Sequence, residues 1–215
     1  MPRVLSFETP THGRVLVEDA AGSLSGVLLG FHGYGQNAEI MLRELRQIPG
    51  LDGWRLIAVQ ALHRYYTRDH RTIVASWMTS QDRDDAIADS VAYVDRVLDA
   101  SGDGGRSALV FLGFSQGASM AYRAAVLGRH RAAGVVAIGG DIPPELKRGT
   151  AEVQWPPVLI AAGVRDEWFT GAKLEADVSF LKAQAVAHEL VRYDGAHEWT
   201  DELRSRVGRR IGGLT

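Results

Sequence analysis

Short unbroken apolar runs alternate along this chain with longer stretches in which apolar residues return every three or four positions. The runs at 27–31, 55–59, 108–113, 134–138 and 158–162 read as strands covered on both faces, because a sheet with one wet face would alternate instead. Residues 188–193 alternate more and suit a strand near an edge. Two N-terminal pieces, 4–7 and 14–18, are expected to form an antiparallel pair turning through Thr11, His12 and Gly13. Between the strands, Ile87, Val91, Val94 and Leu98 make one apolar stripe of an amphipathic helix. Met41, Leu42 and Leu45 mark another, with Asn37 as its N-cap and Glu39 in the first turn, where a negative charge suits the helix dipole. The Ala- and Gly-rich stretch 116–127 reads as a closely packed helix; Leu174, Val178 and Leu181 mark a further helix, and Leu203, Val207 and Ile211 the last. Strand and helix in alternation predict an α/β fold with a mostly parallel central sheet and helices on both faces.

Composition narrows the picture. No repeat or linker divides the 215 residues, so one domain over 1–215 is expected, with no room for a large lid domain. A net charge of -2 gives no reason to expect nucleic acid. Arg204, Arg206, Arg209 and Arg210 alternate with apolar positions and read as a solvated helix face. The absence of cysteine excludes disulfides, thiolate metal sites and a cysteine nucleophile. Residues 1–12 lack a continuous apolar core and no stretch approaches the roughly 18 apolar residues of a membrane span, so a cytoplasmic protein is the expectation.

The chemistry begins at Gly113-Phe114-Ser115-Gln116-Gly117. This Gly-x-Ser-x-Gly sits between an apolar strand and a helix, the context in which such a turn exposes its serine as a nucleophile. A serine hydroxyl needs a histidine base oriented by a carboxylate, and on strand–turn–helix scaffolds these follow the serine as acid, then histidine. His130, His188 and His197 follow Ser115. His130 lies in a polar helix exit and His188 at the entering end of the last strand. His197 lies just beyond that strand's carboxyl end, where open α/β sheets gather their ligand-binding loops. Two acids follow strands at the same edge, Asp166 and Asp141; Asp166 is favoured because its strand is nearer the loop of His197, and Asp141 otherwise reads as capping the turn at Pro143 and Pro144. The N–H groups of Gln116 and Tyr34, the latter in the glycine turn His32-Gly33-Tyr34-Gly35, are the candidate oxyanion donors. His32 precedes the serine and reads as a structural hydrogen-bonding residue.

Together, His-Gly-Tyr-Gly at 32–35, Gly-Phe-Ser-Gln-Gly at 113–117, Gly-x-x-Asp at 163–166 and Gly-Ala-His-Glu at 195–198 resemble the phospholipase/carboxylesterase family of α/β-hydrolases. Acyl-protein thioesterases and small bacterial carboxylesterases are its best-known members. The resemblance runs from about residue 26 to the C-terminus. It implies an α/β-hydrolase fold and an esterase needing no metal or cofactor, with Ser115, Asp166 and His197 as triad and the amides of Tyr34 and Gln116 as oxyanion hole. Three departures place the chain nearer the small bacterial esterases than the thioesterases: Gln36-Asn37 where the thioesterases usually have Asp, Ala118 for an additional Gly, and a polar 62–71 segment.

The longest connection without periodicity, 61–81, supplies Tyr65, Tyr66, Trp77 and Met78, while Trp168 and Phe169 follow Asp166. Tyr65, Trp77, Met78, Trp168 and Phe169 are therefore candidates for a short acyl or aryl pocket, packing onto the core being the equal reading for Trp77 and Trp168. Arg64, Arg68 and Arg71 read as a solvated run before an anion site. The expected activity is hydrolysis of small carboxylic esters through an acyl-enzyme. Thioesters, lysophospholipids and lactones would use the same residues, and a scaffold that had lost its chemistry and kept only binding is the alternative of another class. The expected partner is a small-molecule ester, with a homodimer left open.

Overall fold

The apolar runs become the interior of a seven-stranded sheet in the computed structural model, which describes residues 2–101, 105, 107–148 and 154–214. Its strands are β1 (Arg14–Glu18), β2 (Gly26–Phe31), β3 (Trp54–Gln60), β6 (Ala108–Phe114), β7 (Gly134–Ile138), β8 (Val158–Gly163) and β9 (His188–Tyr193). They lie in the order β1-β3-β2-β6-β7-β8-β9, all parallel except β1. Every residue of β2 and β8 is buried, as continuous apolar sequence requires of strands covered on both faces. β4 (His63–Tyr66) and β5 (Ile73–Ser76) form a separate antiparallel pair.

Among the described residues six helices clothe the sheet: α1 (Ala38–Arg46), α2 (Arg83–Ser101), α3 (Gln116–Leu127), α4 (Pro144–Arg148), α5 (Gly171–Ala183) and α6 (Asp201–Gly212). One face carries the stripe of α2 (Ile87, Val91, Val94, Leu98) with α3 and α5, packed on Val27, Leu29, Phe31 and Phe111. The other carries α1 and α6 through Met41, Leu45, Leu203, Val207 and Ile211, packed on Leu28, Val110 and Leu112. The alternation of β2 side chains between the two clusters is the period of two that a strand imposes. Asn37 caps α1, its side chain accepting from the Ile40 N–H at 2.9 Å.

Three expectations need correction. Residues 4–7 form no strand, and Val4 is 86% exposed. β1 pairs instead with β3, because the parallel order leaves that side of β3 unpaired and its ladder open. Residues 63–76 form a hairpin where no periodicity announced one; all four residues of β4 are exposed, so no apolar face marks it. Arg204 is not a solvated residue, since its guanidinium meets Glu44 at 2.6 Å and lies over the Trp199 ring. Among the described residues no helix is long and apolar enough to cross a membrane.

The chain winds outward from β2 to β3, then crosses back to β6 and proceeds the other way. The carboxyl ends of β2 and β6 therefore flank a topological switch point, where the loops diverge and leave a crevice. The segment holding Tyr34 leaves β2 there, and Ser115 leaves β6.

Candidate active site

Ser115 stands at φ 57°, ψ -122°, a conformation that costs a non-glycine residue on the order of 1–3 kcal/mol. The turn is held shut around it. The Ser115 N–H donates to Ile138 O at 2.8 Å. A Cβ added to Gly113 would lie 2.0 Å from Gly117 O, and one added to Gly117 would lie 2.0 Å from Phe31 O. Both glycines are thus required by backbone passing against backbone, and the helix of Gln116 starts immediately behind the serine.

His197 and Asp166 arrive on the loops after β9 and β8. Those loops pack backbone to backbone, with the Arg165 N–H donating to Gly195 O at 2.9 Å and the Gly163 Cα close against Ala196 O. Asp166 Oδ2 lies 2.8 Å from His197 Nδ1. The other carboxylate oxygen accepts from the Trp168 and Phe169 N–H groups at 2.9 and 2.8 Å. The Asp166 side chain is wholly buried and that of His197 is 21% exposed. A carboxylate so held fixes the imidazole with Nδ1–H toward Asp166, and Nε2 has no hydrogen-bond partner among the described residues. The ring rests on Phe114, centroids 4.9 Å apart, beside Gly139 (φ 62°), where an added Cβ would come within 3.0 Å of it. The next residue, Gly140, closes more tightly still on Ser115 O, where an added Cβ would lie at 2.3 Å, so the histidine and the serine occupy the same end of the sheet. Asp141 is not brought to the imidazole; half exposed, it faces Lys173 Nζ at 3.6 Å.

Two backbone N–H groups on the segments next to the serine have no acceptor among the described residues. Gln116 opens α3, so its N–H has no intrahelical acceptor. In the loop after β2, the Gly33 N–H donates to Gln36 Oε1 at 2.8 Å and the Gly35 N–H to Ala75 O at 3.1 Å. The Tyr34 N–H between them has no acceptor among the described residues. A Cβ on Gly33 would stand 3.3 Å from Ser115 Cβ, which places this loop against the serine.

What sequence reasoning missed is the side-chain bracket joining those two segments. Gln116 Oε1 accepts from the Trp77 N–H at 2.9 Å, and Gln116 Nε2 donates to Met78 O at 3.1 Å. Trp77 Nε1–H donates to His32 O at 2.9 Å. His32 is buried as a single neutral tautomer: Nδ1–H donates to Gly33 O at 2.7 Å and Nε2 accepts from the Ala61 N–H at 3.1 Å. Burial holds its pKa below the usual histidine value. No local pattern could have announced contacts between residues forty positions apart.

The pocket candidates divide. Trp77 and Phe169 are fully buried, Trp77 packing edge-on to Phe31, and they belong to the core rather than to a ligand surface. Trp168 is 75% exposed. Tyr65 stacks near Tyr34, centroids 6.0 Å apart, and burial together with that neighbour pushes its hydroxyl up to about 12. Met78 lines a cleft of about 260 Å³ with Gln116, Ser119, Arg123 and Asp141. A larger groove of about 770 Å³ lies between residues 8–13, β1 and α2, and none of the candidate site residues lines it. Arg68 and Arg71 are exposed on the hairpin, and Arg64 donates to His12 O. Among the described residues, no group of three or more His, Asp or Glu is placed to hold a metal ion.

A parallel sheet with a strained serine turn at its switch point, and an Asp–His pair beyond the last strands, is the architecture of an α/β-hydrolase. The phospholipase/carboxylesterase family model matches residues 12–205, and the chain belongs to that family. No curated protein matches it in sequence. Among solved structures, esterase PE8 superposes with a TM-score of 0.74 at 19% identity, covering 95% of this chain and 100% of that one. Acyl-protein thioesterase 2 of Zea mays gives 0.73 at 20% identity, covering 94% and 99%. The Bacillus cereus carboxylesterase gives 0.73 at 16% identity, covering 94% and 95%.

Proposed function

We propose that the chain is a serine carboxylesterase acting on small esters through Ser115, His197 and Asp166. The observation that carries this reading is the 2.8 Å Asp166–His197 hydrogen bond at the sheet edge where Ser115 is held in its strained turn. His197 Nε2 takes the hydroxyl proton as Ser115 Oγ bonds to the ester carbonyl carbon. The Tyr34 and Gln116 N–H groups stabilise the resulting oxyanion, each such donor being worth roughly 2.7–4 kcal/mol. Collapse expels the alcohol, which takes the proton from the imidazolium. Water, deprotonated by the same imidazole, then releases the acid and restores the serine. Asp166 keeps its charge throughout and stabilises the imidazolium.

The small cleft beside Gln116 favours a short acyl group over a long one. Acyl-thioesters would pass through the same acyl-enzyme and differ only in the leaving group. The test is turnover of p-nitrophenyl acetate by the wild type and by Ser115→Ala. Loss of turnover in the variant is expected, and full turnover would rule the reading out.

A further inference from the structure

The cleft of about 260 Å³ that opens at Gln116 carries more charge than its neighbours balance. Gln116, Ser119 and Arg123 lie at i, i+3 and i+7 of α3 and share one helix face, so the cleft runs along that face from the residue that follows Ser115. Met78, Ile142, Pro143 and Pro144 give it apolar walls. At its far end, Arg123 and Arg83 share a single carboxylate: Arg123 Nε meets Glu145 Oε1 at 2.7 Å, and Arg83 Nη2 meets Glu145 Oε2 at 2.8 Å. The Arg123 side chain is 2% exposed, and its Nη1 has no hydrogen-bond partner among the described residues.

Two guanidiniums against one carboxylate leave one positive charge over. The other acids nearby do not remove it. Asp84 lies 3.8 Å from Arg83 but is exposed to water, where an ion pair is worth little. Asp141 lines the same cleft but is half exposed, so water screens its charge as it does that of Asp84, and Asp177 is taken by Lys147 at 2.5 Å and by the Ile142 N–H at 2.8 Å. A buried guanidinium with an idle donor is costly unless an acceptor completes it. The crowding registers in both ionisations: burial, followed by the nearby Arg83, lowers Arg123, while the two guanidiniums hold Glu145 low against its own burial.

We propose that this cleft is a carboxylate-binding subsite, and that the substrates are hemiesters of short dicarboxylic acids, with Arg83 and Arg123 taking the free carboxylate. Gln116 and Arg123 are separated by about 10 Å along the helix. An arginine side chain leaning toward the helix N-terminus covers roughly half of that distance, and an extended chain advances roughly 1.2 Å per bond, so the remaining ~5 Å takes a spacer of roughly three to five bonds. Acids of roughly four to six carbons meet that length. Met78 and Ile142 would flank the methylenes. The inference rests on Ser115 being the nucleophile and adds to it the class of acyl group.

The experiment compares monoethyl glutarate with ethyl hexanoate, a neutral ester of similar length, by pH-stat titration of released acid. The wild type is expected to favour the hemiester by roughly ten- to hundredfold in kcat/KM, the range of hydrogen bonds to a charged group. Arg83→Gln and Arg123→Gln are each expected to bring that ratio toward unity. Arg83 is partly exposed, so its variant remains informative should Arg123→Gln fail to fold. A wild-type ratio of one or below, or a ratio unchanged in Arg83→Gln, overturns the subsite while leaving the esterase reading intact. No turnover of either ester, together with no labelling of Ser115 by a fluorophosphonate, sinks both.

Discussion

The carboxyl edge of the sheet is built in two different ways on its two sides. On the side of β6 to β9, backbone packs directly on backbone: Gly113 on Gly117, Gly140 on Ser115, Gly163 on Ala196. On the side of β2 and β5, the chain is held by side-chain hydrogen bonds running from Gln36, Gln116, Trp77 and His32. The first kind of support is nearly binary, because a Cβ either fits or does not. The second is graded, because losing one hydrogen bond lets a segment shift without breaking the fold. The proposed nucleophile, acid and base stand on the rigid side. One of the two proposed oxyanion donors stands on the graded side, so damage there should appear in rate before stability.

The sharpest way to break this comparison is at the proposed base. His197→Ala should lower kcat on p-nitrophenyl acetate by roughly 10⁴–10⁶-fold, and Asp166→Asn by about 10⁴-fold. Asp141→Asn should change it far less, because Asp141 faces Lys173 and not the imidazole. Equal losses in the two Asp variants would reopen the choice between them. Next in size, Gly117→Ala should cost more than about 4 kcal/mol of unfolding free energy in urea, the range reserved for overpacking against backbone. Gly35→Ala, in a left-handed conformation (φ 68°) whose nearest neighbour to an added Cβ is 3.7 Å away, should cost only about 1–2 kcal/mol.

On the graded side, Trp77→Phe removes the bond to His32 O and should lower kcat by about tenfold or more while KM moves little. A comparable rise in KM would show that the bracket shapes the cleft rather than the donor. The smallest effect is a pH dependence. Burial depresses the His32 pKa, so the unfolded chain takes up that proton first as pH falls. The stability that neutral His32 supports is fully present above its unfolded value of 6.5 and declines as pH drops from there through the folded pKa. A melting temperature falling between pH 7 and pH 5, with a shallower slope in His32→Asn, is the expected outcome. Parallel slopes would remove His32 from the account.

The same division explains what could be read from the residues alone. Glycines where backbones touch leave a mark in sequence, and so the turn at Gly113 to Gly117 was legible together with the strand and helix flanking it. Asn37 was legible as a cap because its effect is local. His197 was marked out by its place beyond the carboxyl end of the last strand, and Asp166 was favoured by the nearness of its own strand to the loop of His197. Trp77 and Trp168 were ambiguous because an aromatic on a loop can face solvent or core, and only tertiary packing puts Trp77 inside and leaves Trp168 exposed; the same packing buries Phe169, which read as a pocket residue. The hairpin of His63 to Ser76 carries no apolar alternation on its outer strand, so nothing distinguished it from an irregular loop. The bracket through Gln116 and Trp77 was invisible, since it links residues that are remote in sequence. The excess charge beside Arg123 was hidden for the same reason, needing Arg83 and Glu145 to be seen together.

The most direct measurement is mass spectrometry of the folded protein after a fluorophosphonate, with the modified peptide sequenced. A serine poised by His197 and Asp166 predicts one adduct per chain, on Ser115, formed rapidly in the wild type and lost in His197→Ala. An unlabelled wild type, or an adduct on any other serine, would contradict it.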